Sequence, residues 1–358
     1  MKFLLTAINA KFIHSNPAIY SLRAGVGEKL QPYVELAEFT INESLESILE
    51  GIWKRQPKVI GFSCYIWNWK LIREILTELP KILPNTEIWL GGPEVTYDGP
   101  GLLSEFPQVT GIMVGEGEVT FREVLGQYVR EAESTGQSEQ QPEPDSTEQQ
   151  AADRTGTVAG KTVAERFGQI SGLCLASGYT APRELTDLTT LPFLYEDMEP
   201  FTNRIIYYET SRGCPYRCSY CLSSIDKKVR LRDIDVVKRE LQFFLDHKVP
   251  QVKFVDRTFN CRHEHAMGIW NYIKEHDNGI TNFHFEISAD LLREDELELI
   301  SDMRPGLIQL EIGVQSTNGA TIREIHRTMR LEDVYRAVNR VKAGKNIHQH
   351  LDLIAGLP

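Results

Sequence analysis

No apolar run in this 358-residue chain approaches the ~20 residues that a bilayer span requires, so no transmembrane helix is expected. The opening residues, Met1-Lys-Phe-Leu-Leu-Thr-Ala-Ile, lack the length and cleavage site of a secretory signal and read as a first buried strand. Without such a signal the six cysteines fit a reducing cytoplasm rather than a disulfide framework. Lys and Arg are missing altogether from Glu131 to Asp153, where seven acidic residues carry −7 of the net charge of −11. The remainder is therefore only mildly acidic, and no broad nucleic-acid-binding face is expected. Large apolar side chains are almost missing from 131–166, a stretch rich in Glu, Gln, Ser, Thr, Pro and Gly. It is expected to be a disordered acidic linker.

What is present is ordinary for a soluble protein of about two domains, with 41% hydrophobic and 25% charged residues. Over residues 1–130, apolar runs at 2–8, 33–39, 58–63, 86–90 and 111–115 alternate with helical stretches. One of those helices opens on Ser44 above an acidic first turn. Five strands alternating with helices imply a doubly wound parallel sheet, whose ligands bind beyond the strands' carboxyl ends. A connector over 167–200 includes a hairpin strand near 170–175. From 201 to 358 strands at 205–209, 251–256, 282–287, 307–312 and 348–354 alternate with helices as a partial (β/α) barrel. The chain stops directly after the fifth strand, so a barrel truncated there is expected.

The first barrel strand runs into Glu209-Thr-Ser-Arg-Gly-Cys214-Pro-Tyr-Arg-Cys218-Ser-Tyr220-Cys221, three cysteines at spacing CxxxCxxC on a strand-end loop. Three thiolates on one loop can hold three irons of a [4Fe–4S] cluster and leave the fourth open to a small molecule. A zinc site would want a fourth Cys or His close by, and a disulfide plus a spare thiol would suit a secreted protein. The cluster reading ranks above both, and Cys261 reads as a packing residue.

This loop resembles that of the radical S-adenosylmethionine (SAM) enzymes, in which the open iron binds SAM. The resemblance implies iron ligation by Cys214, Cys218 and Cys221, with Tyr220 near the adenine. Later strand ends, Gly313-Val-Gln315-Ser316, Arg327 and Asp352-Leu-Ile-Ala-Gly, are similar to the coproporphyrinogen-oxidase-like branch. By that likeness Glu286, Gln315, Arg327 and Asp352 contact SAM, and Asp256 holds its amino group.

In the first domain three features fall at strand ends: Ser63-Cys64-Tyr65-Ile-Trp67-Asn68-Trp69, Gly91-Gly92-Pro93-Glu94 and Gly115-Glu116-Gly117-Glu118. The set resembles the cobalamin-binding domain that precedes many radical SAM barrels. It implies a cobalamin site built from Asn9, Ser63, Cys64, Tyr65, Trp67, Gly91, Gly92, Glu94, Gly115, Glu116 and Gly117. Ser63 and the glycine pair would line the slot for the nucleotide tail. The Trp67-Asn68-Trp69 run reads either as a cap on the corrin face or as core packing at a helix start. The loop after the first strand, with His14, departs from the Asp-x-His-x-x-Gly pattern that ligates cobalt, so cobalamin is expected without a protein imidazole beneath the metal.

The expected activity is reductive cleavage of SAM to a 5′-deoxyadenosyl radical, used for methyl transfer to an unactivated carbon of a small-molecule or peptide substrate. An electron donor such as flavodoxin or ferredoxin is implied. A radical enzyme that cyclises, oxidises or rearranges without methylating, and a non-catalytic cobalamin or redox sensor, are the alternatives.

Overall fold

The computed structural model describes residues 1–136 and 160–358. The chain divides into two units, one comprising Met1–Thr186 with Leu191–Arg204 and the other Asp187–Thr190 with Ile205–Pro358.

The first unit runs β1 (Phe3–Asn9), α1 (Pro17–Gly25), β2 (Val34–Thr40), α2 (Leu45–Trp53), β3 (Val59–Ser63), α3 (Trp69–Ile82), β4 (Glu87–Gly91), α4 (Gly99–Glu105), β5 (Val109–Met113), α5 (Gly117–Gly136), α6 (Val163–Phe167), β6 (Leu173–Leu175) and β7 (Gly178–Tyr179). Its sheet has the order β2-β1-β3-β4-β5-β6-β7. β1 to β5 are parallel, and β6 and β7 add an antiparallel hairpin at one edge. Every residue of β1 is buried, as a parallel strand covered on both faces must be. Leu4, Ile8, Ile60 and Phe62 pack on one face against Ile72, Ile75, Leu76 and Leu79, the apolar stripe of α3. Phe3, Leu5, Ala7 and Trp89 pack on the other against Phe121, Val124, Leu125 and Tyr128 of α5. Asn16 and Ser44 cap α1 and α2 through their side-chain oxygens, satisfying first-turn N–H groups. The doubly wound sheet expected from sequence is the one observed.

The expected linker over 131–166 is corrected at both ends. α5 continues to Gly136, and a capping box between Thr162 and Glu165 starts α6. Arg166 is buried, its guanidinium bonded to Glu87 (2.8 Å) and Glu131 (2.9 Å) and stacked 5.0 Å from the Tyr128 ring centroid. Composition averaged across the stretch hides an arginine whose partners lie in other elements. The part of that expectation covering 137–159 falls outside the described residues. Nor are 167–200 a mere connector: Leu173–Leu175 hydrogen-bonds to β5, and Phe167 sits in the core.

The second unit runs β8 (Ile206–Tyr208), β9 (Ser211–Arg212), β10 (Arg230–Leu231), α7 (Ile234–Asp246), β11 (Gln251–Phe254), α8 (His263–Glu275), β12 (Asn282–Ile287), α9 (Glu294–Ser301), β13 (Ile308–Gln315), α10 (Gly319–Glu324), α11 (Leu331–Gly344) and β14 (His348–Leu353). Five parallel strands stand in chain order, β8-β11-β12-β13-β14, as in a barrel wall. β13 alternates buried and half-buried residues along its length. Phe254, Phe259, Trp270 and Phe285 form an aromatic cluster, with ring centroids 4.3 to 6.0 Å apart, that joins the β11 region to α8 and β12. Among the described residues no helix is long and apolar enough to cross a membrane.

Candidate active site

The cysteine loop leaves the end of β8 and is pinched at its base by the β9–β10 ribbon, which pairs Ser211 with Leu231 and Arg212 with Arg230. Gly213 has φ +92°, and a Cβ there would lie 2.5 Å from the Lys228 carbonyl oxygen, so the entry to the loop accepts only glycine. The Cys214 amide donates to Asp226 O (2.9 Å), the Cys221 amide to Cys218 O (3.1 Å) and the Ser219 amide to Ile325 O (3.0 Å). All six cysteines are free thiols, with Cys214 and Cys218 buried and Cys221 half-buried. Among the described residues no three Cys, His, Asp or Glu side chains converge closely enough to hold a metal as they stand. What fits an iron–sulfur cluster is the chemistry of the donors and their surroundings. The Cys214 thiol lies 3.6 Å from Thr258 Oγ1, at the end of β11, and Cys218 Sγ lies 3.9 Å from Arg327 Nη1, beyond α10.

Arg327 is the most informative neighbour. Its Nη2 donates to Gly313 O (2.6 Å), while its buried Nε has no hydrogen-bond partner among the described residues. A buried cationic donor left unanswered beside a cysteine suits an anionic ligand group. Gln315 takes φ +68° and folds its amide over Gly313, where a Cβ would sit 2.2 Å from Nε2. Asp352 pairs in register with Gly313, so it stands at the same sheet end, 3.5 Å from His350 Nε2. Tyr220 is 41% exposed, with its hydroxyl pushed up to about 12 by burial and by neighbouring Cys218. Burial also raises the Glu286 carboxyl, whose Oε1 is 3.7 Å from Lys253 Nζ. Lys253 in turn meets Glu311 (2.9 Å), which lies 3.0 Å from His284 Nε2. Lys253, His284 and Glu311 were missed in the sequence; their signal was the alternation of polar residues along β11 to β13.

Asp256 requires a correction. It is fully buried, and Oδ1 accepts the amides of Thr210 (2.7 Å) and Ser211 (3.1 Å) while Oδ2 takes the Thr210 hydroxyl. Its oxygens are thus engaged by the segment that follows β8, which is a different role from the one expected of it.

In the first unit the strand order turns between β1 and β3, the place where such sheets bind their ligands. Asn68, which was not among the expected site residues, is fully buried and ties the ends of β1 and β3 together. Its Nδ2 donates to Ile8 O and Ser63 O, and its Oδ1 accepts from the Tyr65 amide. That arrangement leaves Ile66 (80% exposed) and Trp67 outside, with Trp67 stacked on Tyr65 at 4.3 Å and 9°. Of the paired readings of 67–69, Trp67 is the exposed aromatic, while Trp69 packs against the core. Gly92 has φ +109°, and a Cβ there would meet Cys64 O at 2.4 Å, whereas Gly91 meets nothing nearer than 3.7 Å. Ser63 is half-buried beside Asn16 Nδ2 (3.4 Å), and Glu94 and Gly115 are exposed. Gly117 opens α5.

Three expected cobalamin residues turn elsewhere. Cys64 is fully buried with its thiol pushed up by burial. Asn9 spends its amide on His14 O (3.0 Å) and Glu38 (2.8 Å). Glu116 accepts the Thr186 amide (2.7 Å). Glu38, unmarked in the sequence, anchors the loop after β1. Besides Asn9 it accepts the Asn16 amide (3.0 Å), the Tyr20 hydroxyl (2.7 Å) and Arg204.

Residues 4–125 match the B12 binding domain family, and residues 208–358 match the radical SAM superfamily. The cobalamin-dependent radical SAM methyltransferase TokK of Streptomyces tokunonensis is 26% identical over 85% of this chain and 43% of its own length. The 2-(S-pantetheinyl)-carbapenam-3-carboxylate methyltransferase of Streptantibioticus cattleyicolor is 27% identical over 88% of this chain and 44% of its own. The chain thus spans less than half the length of either relative. Among solved structures, the cobalamin-dependent SAM radical enzyme OxsB with aqua-cobalamin and SAM superposes with TM-score 0.70 at 17% identity. That match covers 98% of this chain and 49% of OxsB, and it is a likeness of fold.

Proposed function

The chain is a B12-binding-domain radical SAM protein, and from that premise we propose that it is a cobalamin-dependent radical SAM methyltransferase acting on an unactivated carbon of a small-molecule or peptide substrate. The observation that carries the reading is the three-cysteine loop with Arg327, whose Nη1 lies beside Cys218 and whose buried Nε is unanswered. Cys214, Cys218 and Cys221 hold three irons of a [4Fe–4S] cluster, and their loop is fixed at its base by Gly213 and the β9–β10 ribbon. Arg327 meets the carboxylate of SAM, Gln315, Glu286 and Asp352 offer it hydrogen bonds, and Tyr220 lies against its adenine. Ser63, Gly91 and Gly92 admit the nucleotide tail of cobalamin, with Tyr65, Trp67, Glu94, Gly115 and Gly117 around it. When bound, the cofactors supply the 5′-deoxyadenosyl radical and the transferable methyl group. An electron donor such as flavodoxin or ferredoxin serves the cluster.

The test is anaerobic purification with iron, sulfide and corrinoid measured together, followed by reduction with SAM present. The expected result is 5′-deoxyadenosine and a substrate heavier by one methylene. A product of unchanged carbon count would favour the non-methylating enzyme, and absence of SAM cleavage would favour the sensor. Cobalamin is expected without a protein imidazole below cobalt, because the loop from Asn9 is tied down by Glu38 through Asn9 and Asn16. Nitrogen splitting in the Co(II) paramagnetic resonance spectrum that vanishes in His14→Ala would contradict this.

A further inference from the structure

The cysteine loop is carried by a strand end that is itself held from beneath by a buried chain of three side chains. Asp256, just past β11, takes the backbone amides of Thr210 and Ser211 on one oxygen and the Thr210 hydroxyl on the other. His265, in the first turns of α8, places Nε2 3.1 Å from the same hydroxyl oxygen. Asp256 and Thr210 are wholly buried, and His265 is 6% exposed. Three elements thus meet at one hydroxyl, three residues before the last glycine ahead of Cys214.

The hydrogen bonds in this chain have a direction. Thr210 owns one hydroxyl proton, so it donates to one neighbour and accepts from the other. With Asp256 ionised, the hydroxyl donates to Oδ2 and accepts from His265 Nε2–H. With the carboxyl protonated or replaced by an amide, the two bonds at the Thr210 hydroxyl reverse, the backbone amides still donate to Oδ1, and the chain is again complete. A carboxylate with three donors in a fully buried site is costly to install unless geometry there matters. The same β11 end also carries Thr258, whose hydroxyl is 3.6 Å from Cys214 Sγ. The end of β11 therefore grips the strand before the loop and touches the first cysteine within it.

We propose that Asp256, Thr210 and His265 are positioning residues for the iron–sulfur loop, a hydrogen-bonded relay that sets the launch angle of the chain into Cys214. This rests on the cluster reading given above. The relay touches no cofactor; it acts by fixing the backbone at 210–211, as outer-shell partners fix metal ligands.

The test uses the whole chain and four variants. Thr210→Val keeps shape and removes the hydroxyl, while Thr210→Ser keeps the hydroxyl. Asp256→Asn runs the relay in reverse, while Asp256→Ala breaks it. Hydrogen exchange before cluster loading should be faster at the 210–212 amides in Thr210→Val and Asp256→Ala alone. After anaerobic reconstitution, the visible absorbance of these two should bleach about tenfold faster under an iron chelator. Thr210→Ser and Asp256→Asn should stay near wild type in both measurements. Loss in Asp256→Ala through misfolding would show as a lowered melting temperature, and Thr210→Val then decides. A Thr210→Val protein that exchanges and retains iron like wild type overturns the relay. A wild-type chain that takes up no iron overturns instead the cluster reading on which the relay rests.

Discussion

At the scale of single residues, local spacing was legible and distant partners were not. The three cysteines and the two glycines of β4's end stood out in the sequence because their spacing lies within a few positions. The partners of Asp256 could not be read, because a strand-end acid looks the same in sequence whether it faces a ligand or bonds the neighbouring strand. Its partners lie 45 and 46 residues away. The relay has a pH signature. Burial lowers His265 to about 4, so its contribution is fully present above the unfolded value near 6.5 and is lost as pH falls toward 4. Burial raises Asp256 to about 7, so its contribution is present below the unfolded value and is lost as pH rises through 7. The two oppose each other across one window. Removing the imidazole in His265→Gln should raise stability relative to wild type by about 2 kcal/mol on going from pH 7 to 5. Denaturant midpoints of both proteins at the two pH values check this, and parallel shifts would count against it. Gly91 and Gly92 offer a second contrast. Gly92→Ala should cost on the order of 2 kcal/mol through φ and the Cys64 contact. Gly91→Ala should melt like wild type yet bind cobalamin more weakly, read by titration of the corrinoid spectrum.

Among elements, the long apolar strands were readable because buried parallel strands repeat few patterns. The short ones were not: α4, α6 and the β9–β10 ribbon offer too few residues for a period to show. α6 matters more than its five residues suggest, because it delivers Arg166 to Glu87 and Glu131. Arg166→Met should cost about 3 kcal/mol, since the two carboxylates then lose their buried counter-charge. Arg166→Lys should recover only part of that, because an ammonium cannot fork between two carboxylates. Thermal midpoints of the three proteins give the order, and equal midpoints would show that the arginine only fills space.

For the molecule as a whole, the two-part architecture was visible in the change from one βα series to the next. The seam was not. Residues 187–190 belong with the second unit, where the Asp233 amide donates to Thr189 Oγ1 (3.1 Å), before the chain rejoins the first. A ligand held by one unit stabilises that unit in proportion to its occupancy. Aquacobalamin at a hundred times its dissociation constant should add about 2.7 kcal/mol to the unfolding of the first unit, seen as a rise in one calorimetric transition. The rise should shrink in Gly91→Ala, and a chain whose transitions ignore the corrinoid would argue against a cobalamin site. The Arg166–Glu131 pair carries a consequence for protein engineering. It clasps two points 35 residues apart in sequence, so any chain spliced between them begins and ends at one spot. The entropy of closing such a loop grows only logarithmically, about 0.6 kcal/mol for each doubling of length. A fluorescent domain with adjacent termini, inserted there, would report on the folding of the first unit.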